Sequence, residues 1–116
     1  MPVLIPVPLS INRFLERTFN QSEWLALTLA KNLKLKTDVK SLKKIRDTAA
    51  QSTLTRSARL NNLDNAFQWV NQGAPPQTVC LIDDVYTTGE TLRSCAKALI
   101  QAGTKEVFGW TLFRKL

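Results

Sequence analysis

Two adjacent carboxylates, Asp83-Asp84, follow the apolar run Val79-Cys80-Leu81-Ile82, and a turn rich in hydroxyls, Thr87-Thr88-Gly89-Glu90-Thr91, comes shortly after. Paired carboxylates where a strand ends can accept hydrogen bonds from a sugar diol. A helix that begins at the turn presents amides without intrahelical partners, at the positive end of its dipole, and these suit a phosphate. Gly89 lets the backbone approach an anion closely, while Thr87, Thr88 and Thr91 can add hydroxyl donors. A phosphorylated sugar carries both a diol and a phosphate. The chain has no histidine, which excludes His-based acid–base catalysis and leaves no recognisable zinc site.

These groups need a strand, a loop and a helix to hold them. Val79–Ile82 supplies the strand, and Leu92, Cys95, Ala96, Leu99 and Ile100 have the spacing of one helix face. An ordinary strand–loop–helix unit with solvated aspartates and capping threonines has the same outline. Capping needs one such residue, however, and this loop supplies several. Cys80 and Cys95 fall in the apolar run and on the apolar helix face, form no Cys-x-x-Cys pair, and read as small core residues.

The stretch Leu81-Ile82-Asp83-Asp84-Val85-Tyr86-Thr87-Thr88-Gly89-Glu90-Thr91-Leu92 resembles the phosphoribosyl-pyrophosphate (PRPP) loop of type I phosphoribosyltransferases. It lacks the Gly-Lys-Ser/Thr ending of a Walker A loop and the Gly-x-Gly-x-x-Gly of a dinucleotide-binding turn.

With 116 residues and an apolar fraction of 44%, the chain suffices for one globular domain. No apolar run approaches the length of a membrane span, and Met1-Pro2-Val3 has no basic signal-peptide start, so the expected address is the cytoplasm. Charge is unevenly spread. Residues 31–59 hold nine Lys/Arg (Lys31, Lys34, Lys36, Lys40, Lys43, Lys44, Arg46, Arg56, Arg59) against Asp38 and Asp47, which accounts for the net charge of +7. Such a segment draws a polyanion, either a diphosphate or a nucleic acid, or forms a solvated basic face. It contains no aromatic residue, which argues against a surface for stacking single-stranded DNA.

In chain order, Val3–Pro8 reads as a short strand stopped by its prolines, and Asn20-Gln21-Ser22-Glu23 has the residue types of a capping box opening a helix from Trp24 to about Lys34. Leu60, Leu63, Phe67 and Val70 follow helical spacing, and Gln72-Gly73-Ala74-Pro75-Pro76 ends that segment. Gln101-Ala102-Gly103 stops the helix after the loop, and Val107–Phe113 reads as a last buried strand. Alternating strands and helices predict an α/β fold, a parallel sheet with flanking helices.

The Val3–Pro8 run, Arg17-Thr18-Phe19-Asn20-Gln21, and Lys43-Lys44-Ile45-Arg46-Asp47-Thr48-Ala49-Ala50-Gln51-Ser52-Thr53-Leu54 with Arg59, Asn62, Leu63, Ala66 and Phe67 after it are similar to the catalytic domain of the competence-linked ComF family. Thr48-x-x-Gln51 also has the types of a capping box, and both readings stand. The family usually has Gly where Thr18 stands. Full-length members commonly begin with a cysteine-rich zinc-binding module, which these residues do not contain.

The resemblance implies a type I phosphoribosyltransferase-like, Rossmann-like core spanning 1–116 as one domain. It implies PRPP bound with Mg²⁺, the metal held indirectly through Asp83 and Asp84, and the 5′-phosphate cradled by Thr87, Thr88, Gly89, Glu90 and Thr91. Arg17 and Arg46 are candidates for the diphosphate. Purine-salvage enzymes of this fold often carry an Asp where Thr87 stands, so a purine acceptor is disfavoured. The activity implied is phosphoribosyl transfer to an unnamed acceptor, associated with DNA uptake. The alternative is a non-catalytic adaptor that senses PRPP or a nucleotide and contacts DNA-uptake proteins or single-stranded DNA.

Overall fold

The apolar run ahead of the paired carboxylates is apolar on both faces because both faces of its strand are covered. A computed structural model describes residues 1–8, 21–45, 66–86 and 89–114, with the backbone alone described at 84–86 and 112–114. The elements are β1 (Val3–Pro6), α1 (Gln21–Leu33), β2 (Leu42–Lys44), β3 (Phe67–Trp69), β4 (Thr78–Tyr86), α2 (Glu90–Ala102) and β5 (Glu106–Arg114). Strands β1, β4 and β5 form a parallel sheet in the order β1-β4-β5, and β2 and β3 form a separate antiparallel pair. No described helix is long and apolar enough to cross a membrane.

Alternate residues of the parallel strands feed two cores. Leu4 and Ile82 pack with Ala26 and Ala30 of α1 on one face, where the small alanines let the helix backbone approach closely. Ile5, Val79 and Leu81 pack with Cys95 and Leu99 of α2, and with Leu42 and Phe67 of the small sheet, on the other. The outer edge of β1 is partly sheathed by the chain leaving α1: Leu4 donates to the Lys36 carbonyl at 2.9 Å, and Asp38 N–H and Thr37 Oγ1 donate to the Leu4 carbonyl at 3.1 and 2.9 Å.

Helix ends lie close to their expected positions. Lys34 terminates α1 in the left-handed region (φ 56°), a conformation more often given to Gly, and Leu35 N–H closes the turn on the Ala30 carbonyl at 2.9 Å. Gly103 does the same work after α2 at φ 126°, with its N–H shared between the Leu99 and Ile100 carbonyls, both at 3.1 Å.

Four expectations need correction. Phe67 and Val70 do not lie on a helix: Phe67–Trp69 is a strand paired with Leu42–Lys44, burying Phe67, exposing Gln68 and leaving Val70 48% exposed. A spacing of three suits one face of a helix and not one face of a strand, but a waiting partner strand overrides that local signal. Leu60 and Leu63 lie outside the described residues. Strand β4 does not stop before the carboxylates but runs through Asp83 and Asp84 to Tyr86, because β5 continues to pair with it as far as Arg114. Strand β5 is not buried on both faces: Val107 packs against the α2 core, but Phe108 is 55% and Trp110 37% exposed, since the helix on their side packs over β1 and β4. Ile100 is also exposed, at the margin of the α2 face rather than within it.

The turn into β2 is held by Asp38, whose Oδ1 accepts from the N–H of Lys40 and of Ser41, each at 3.0 Å. Burial opposes ionisation there, but hydrogen bonds from Ser41 and Lys40 and the charge of Lys43 outweigh it and hold the carboxyl below its ordinary value. A lowered folded value stabilises the protein above the unfolded pKa, and the contribution is lost as pH falls through the folded value. Asp38→Ala should therefore cost about 1 kcal/mol near neutral pH, by analogy with a lost side-chain cap, and the deficit should shrink below about pH 4. Urea titrations of the two proteins at several pH values check this, and a pH-independent difference would contradict it.

Candidate functional site

In parallel α/β sheets, ligands bind beyond the carboxyl ends of the strands, where the following helices begin. Here α1 and α2 both begin at that end. The Ser22 hydroxyl, in the first turn of α1, donates to Asp83 Oδ1 at 3.2 Å, and Ser22 is itself buried. Two elements far apart in sequence thus fix one carboxylate, and Asp83 remains half-buried rather than sealed.

Asp83 also lies within electrostatic reach of α2. Burial pushes the Cys95 thiol far above its ordinary range, the Asp83 charge adds to the rise, and Lys44 of β2 partly offsets it. Burial likewise raises Cys80. Both thiols stay protonated at neutral pH, which fits packing roles and not nucleophilic ones.

Gly89 is the N-cap of α2, at φ 80° and ψ 0°, in the left-handed region that a residue with a Cβ enters at a cost. Gly89 itself has no side chain to cap this helix end. The first intrahelical bond runs from Arg93 N–H to the Gly89 carbonyl at 2.9 Å, so the amides ahead of Arg93 belong to the first turn, which has no intrahelical acceptors. Glu90 opens the first turn with Oε2 buried in the protein, and Thr91 follows it half-buried. A glycine-capped helix N-terminus suits an anion through its backbone amides.

The structure therefore puts Asp83, Gly89, Glu90 and Thr91 on one strand–turn–helix unit and adds Ser22, to which the sequence reading gave no site role. The Ser22–Asp83 contact spans 61 positions and follows from the docking of α1 on β4, a tertiary fact that no local pattern carries. Thr87, Thr88, Arg17 and Arg46 lie outside the described residues, as does the side chain of Asp84. Of the basic segment, Lys31, Lys34, Lys36, Lys40 and Lys43 are exposed, while Lys44 lies over the Phe67 ring at 5.9 Å.

No group of three or more His, Cys, Asp or Glu side chains able to hold a metal occurs among the described residues. A cation at Asp83 would need further oxygen ligands from its anionic companion.

No family model matches the chain. It is 35% identical over 113 residues to Competence protein F of Haemophilus influenzae, an alignment covering 96% of this chain and 49% of that protein. It is 34% identical over 113 residues to DNA utilization protein YhgH of Escherichia coli K12, covering 97% and 49%. Competence protein ComFC of Streptococcus pneumoniae is 34% identical over 111 residues, covering 95% and 47%. The chain thus spans about half the length of these relatives.

Proposed function

We propose, for a chain whose relatives support the ComF family, that the strand–turn–helix unit binds PRPP with Mg²⁺, and that the protein transfers phosphoribose to an acceptor in the service of DNA uptake or utilization. The observation that carries this reading is the pairing of two features: an α2 N-terminus opened by a left-handed Gly89, and a carboxylate, Asp83, braced by Ser22 in the C-terminal half of the adjoining strand. The first suits a 5′-phosphate and the second a ribose diol.

The donor set fits the metal as well as the sugar. The Asp83 carboxylate, with Asp84 beside it in sequence, would suit an ion that arrives on a diphosphate and brings further oxygen ligands with it. Magnesium, when bound with PRPP, would neutralise charge on the departing pyrophosphate. The chain's own contribution would be to orient the ribose through Asp83 and Asp84 and to anchor the phosphate on the amides from Gly89 to Thr91. Positioning and charge complementarity of this kind lower the barrier without a protein nucleophile. Arg17 and Arg46 are proposed for the diphosphate, and the proposed address is the cytoplasm.

A second reading has one observation in its favour. Five exposed lysines, Lys31, Lys34, Lys36, Lys40 and Lys43, stand with the half-buried Lys44 in the described part of the basic segment, and their charge suits a polyanionic partner. On that reading the domain binds PRPP or a nucleotide as a signal and contacts DNA or DNA-uptake proteins without turning over.

The experiment is a pyrophosphate-release screen with PRPP and Mg²⁺ over nucleobases, amines and water, run beside a pull-down for DNA-uptake proteins. Release is expected with a suitable acceptor and little or none with hypoxanthine or guanine, since Thr87 cannot accept a proton at neutral pH. Purine turnover at ordinary enzymatic rates would overturn the argument from Thr87. Failure with every acceptor, with PRPP binding retained and a specific partner captured, would favour the adaptor.

A further inference from the structure

The two edges of the parallel sheet are treated differently. That of β1 is partly sheathed by Lys36–Asp38, whereas among the described residues nothing pairs with the outer edge of β5. This open edge is nine residues long, Glu106-Val107-Phe108-Gly109-Trp110-Thr111-Leu112-Phe113-Arg114, and has charge only at its two ends. Long apolar edges invite pairing with another strand, and proteins usually blunt them with lysines, prolines or bulges. None of the three occurs within β5.

The register with β4 sets Phe108 beside Cys80 and Trp110 beside Ile82, on the face of the sheet that carries α1. That helix packs over β1 and β4, which leaves Phe108 55% and Trp110 37% exposed. An open ladder edge and an uncovered aromatic pair therefore coincide on one strand.

The order of residues along β5 says which strand fits. Trp110 is its midpoint, and Glu106 and Arg114 are its ends, equally distant from the midpoint and opposite in charge. If a second copy of β5 pairs antiparallel about Trp110, each Glu106 stands opposite Arg114 of the other copy, Phe108 opposite Leu112, and Trp110 opposite itself. Opposite charges and aromatic pairs directly across an antiparallel ladder are favourable, and a two-fold arrangement uses the same patch on both copies. A parallel alignment would set Glu106 against Glu106 and Arg114 against Arg114.

We propose that β5 is a self-association edge, through which two copies of this chain join antiparallel about Trp110 into one six-stranded sheet. The seam between the two copies of α1 would then be filled by Phe108 and Trp110 from both. The basic segment 31–59 lies outside the paired strand, so the ladder itself opposes no like charges.

Sedimentation equilibrium across the micromolar to millimolar range tests this, with thermal melting of each variant to separate folding from association. The wild type should move from 13.1 kDa toward twice that mass as concentration rises. Glu106→Arg turns both end pairs repulsive and should weaken association by roughly tenfold. The exchanged variant Glu106→Arg/Arg114→Glu should restore it, an outcome that generic stickiness would not give. Trp110→Lys sets two like charges together on the axis and should leave monomers. A monomer at all concentrations, a dimer indifferent to Glu106→Arg, or an exchange that fails to rescue in a folded protein would overturn the proposal. So would a β5 edge found paired with a strand of a different protein.

Discussion

Leu81→Ala should lower the free energy of unfolding by about 2–5 kcal/mol, the usual range for emptying a well-packed aliphatic site. Leu81 is 1% exposed and lies at the centre of the core formed by Ile5, Val79, Cys95 and Leu99. Its neighbours are held by two layers, the sheet on one side and α2 with the small β2–β3 pair on the other, so the cavity cannot close by a shift of one element. In a domain whose whole stability is on the order of 5–15 kcal/mol, such a loss leaves little reserve. Leu81 also stands two residues before Asp83 on the same strand face, so the damage should reach the site. The contrast is Ile100→Ala, at a side chain 55% exposed, which should change stability by no more than about 0.5 kcal/mol. Urea unfolding of the two variants beside the wild type measures both. A loss below about 1 kcal/mol at Leu81 would mean that this core is not the one that holds the sheet.

What the sequence made legible was local. The capping-box types at Asn20–Glu23 and the Leu/Ala-rich stretch after them announced α1, and the Leu92, Cys95, Leu99 spacing announced the buried face of α2. Gly103 was readable as the stop of α2, whereas the positive φ of Gly89 at the start of that helix was not part of the sequence reading, which gave it a close approach to an anion. The parallel arrangement followed from the alternation of elements and appears in β1-β4-β5.

What was hidden depended on partners. Phe67 joined a strand because Leu42–Lys44 was there to pair with it, although Leu63, Phe67 and Val70 fit a helical period equally well. The last strand reads as buried from Val107 to Phe113 because its composition is apolar, yet composition does not say whether both of its faces are covered; Val107 packs on the α2 side, while Phe108 shows that α1 leaves the other face open. The extent of β4 was set by how far β5 kept pairing, past the point where two carboxylates suggest a loop. At the site, the residue pattern announced Asp83 and the glycine-opened helix. It was silent on Ser22, whose importance comes from the fold alone. Thr18, standing where a glycine is usual in the family resemblance, lies outside the described residues, as does its neighbour Arg17.

We propose that Asp83 and Asp84 hold the ribose of PRPP while the start of α2 holds its phosphate. Charge-assisted hydrogen bonds of a carboxylate to a diol are worth about 1.5–3 kcal/mol each, so removing two carboxylate charges should weaken binding by about a hundredfold or more. Asn keeps the size and one acceptor oxygen at each position, and Ser22 can still donate to residue 83, which leaves the fold intact. Isothermal titration of PRPP with Mg²⁺ into the wild type and into Asp83→Asn/Asp84→Asn is the direct measurement. Saturable binding to the wild type is expected, lost or weakened about a hundredfold or more in the double variant, with both proteins melting alike. Equal affinity in the two proteins, or no binding to the wild type, would contradict it.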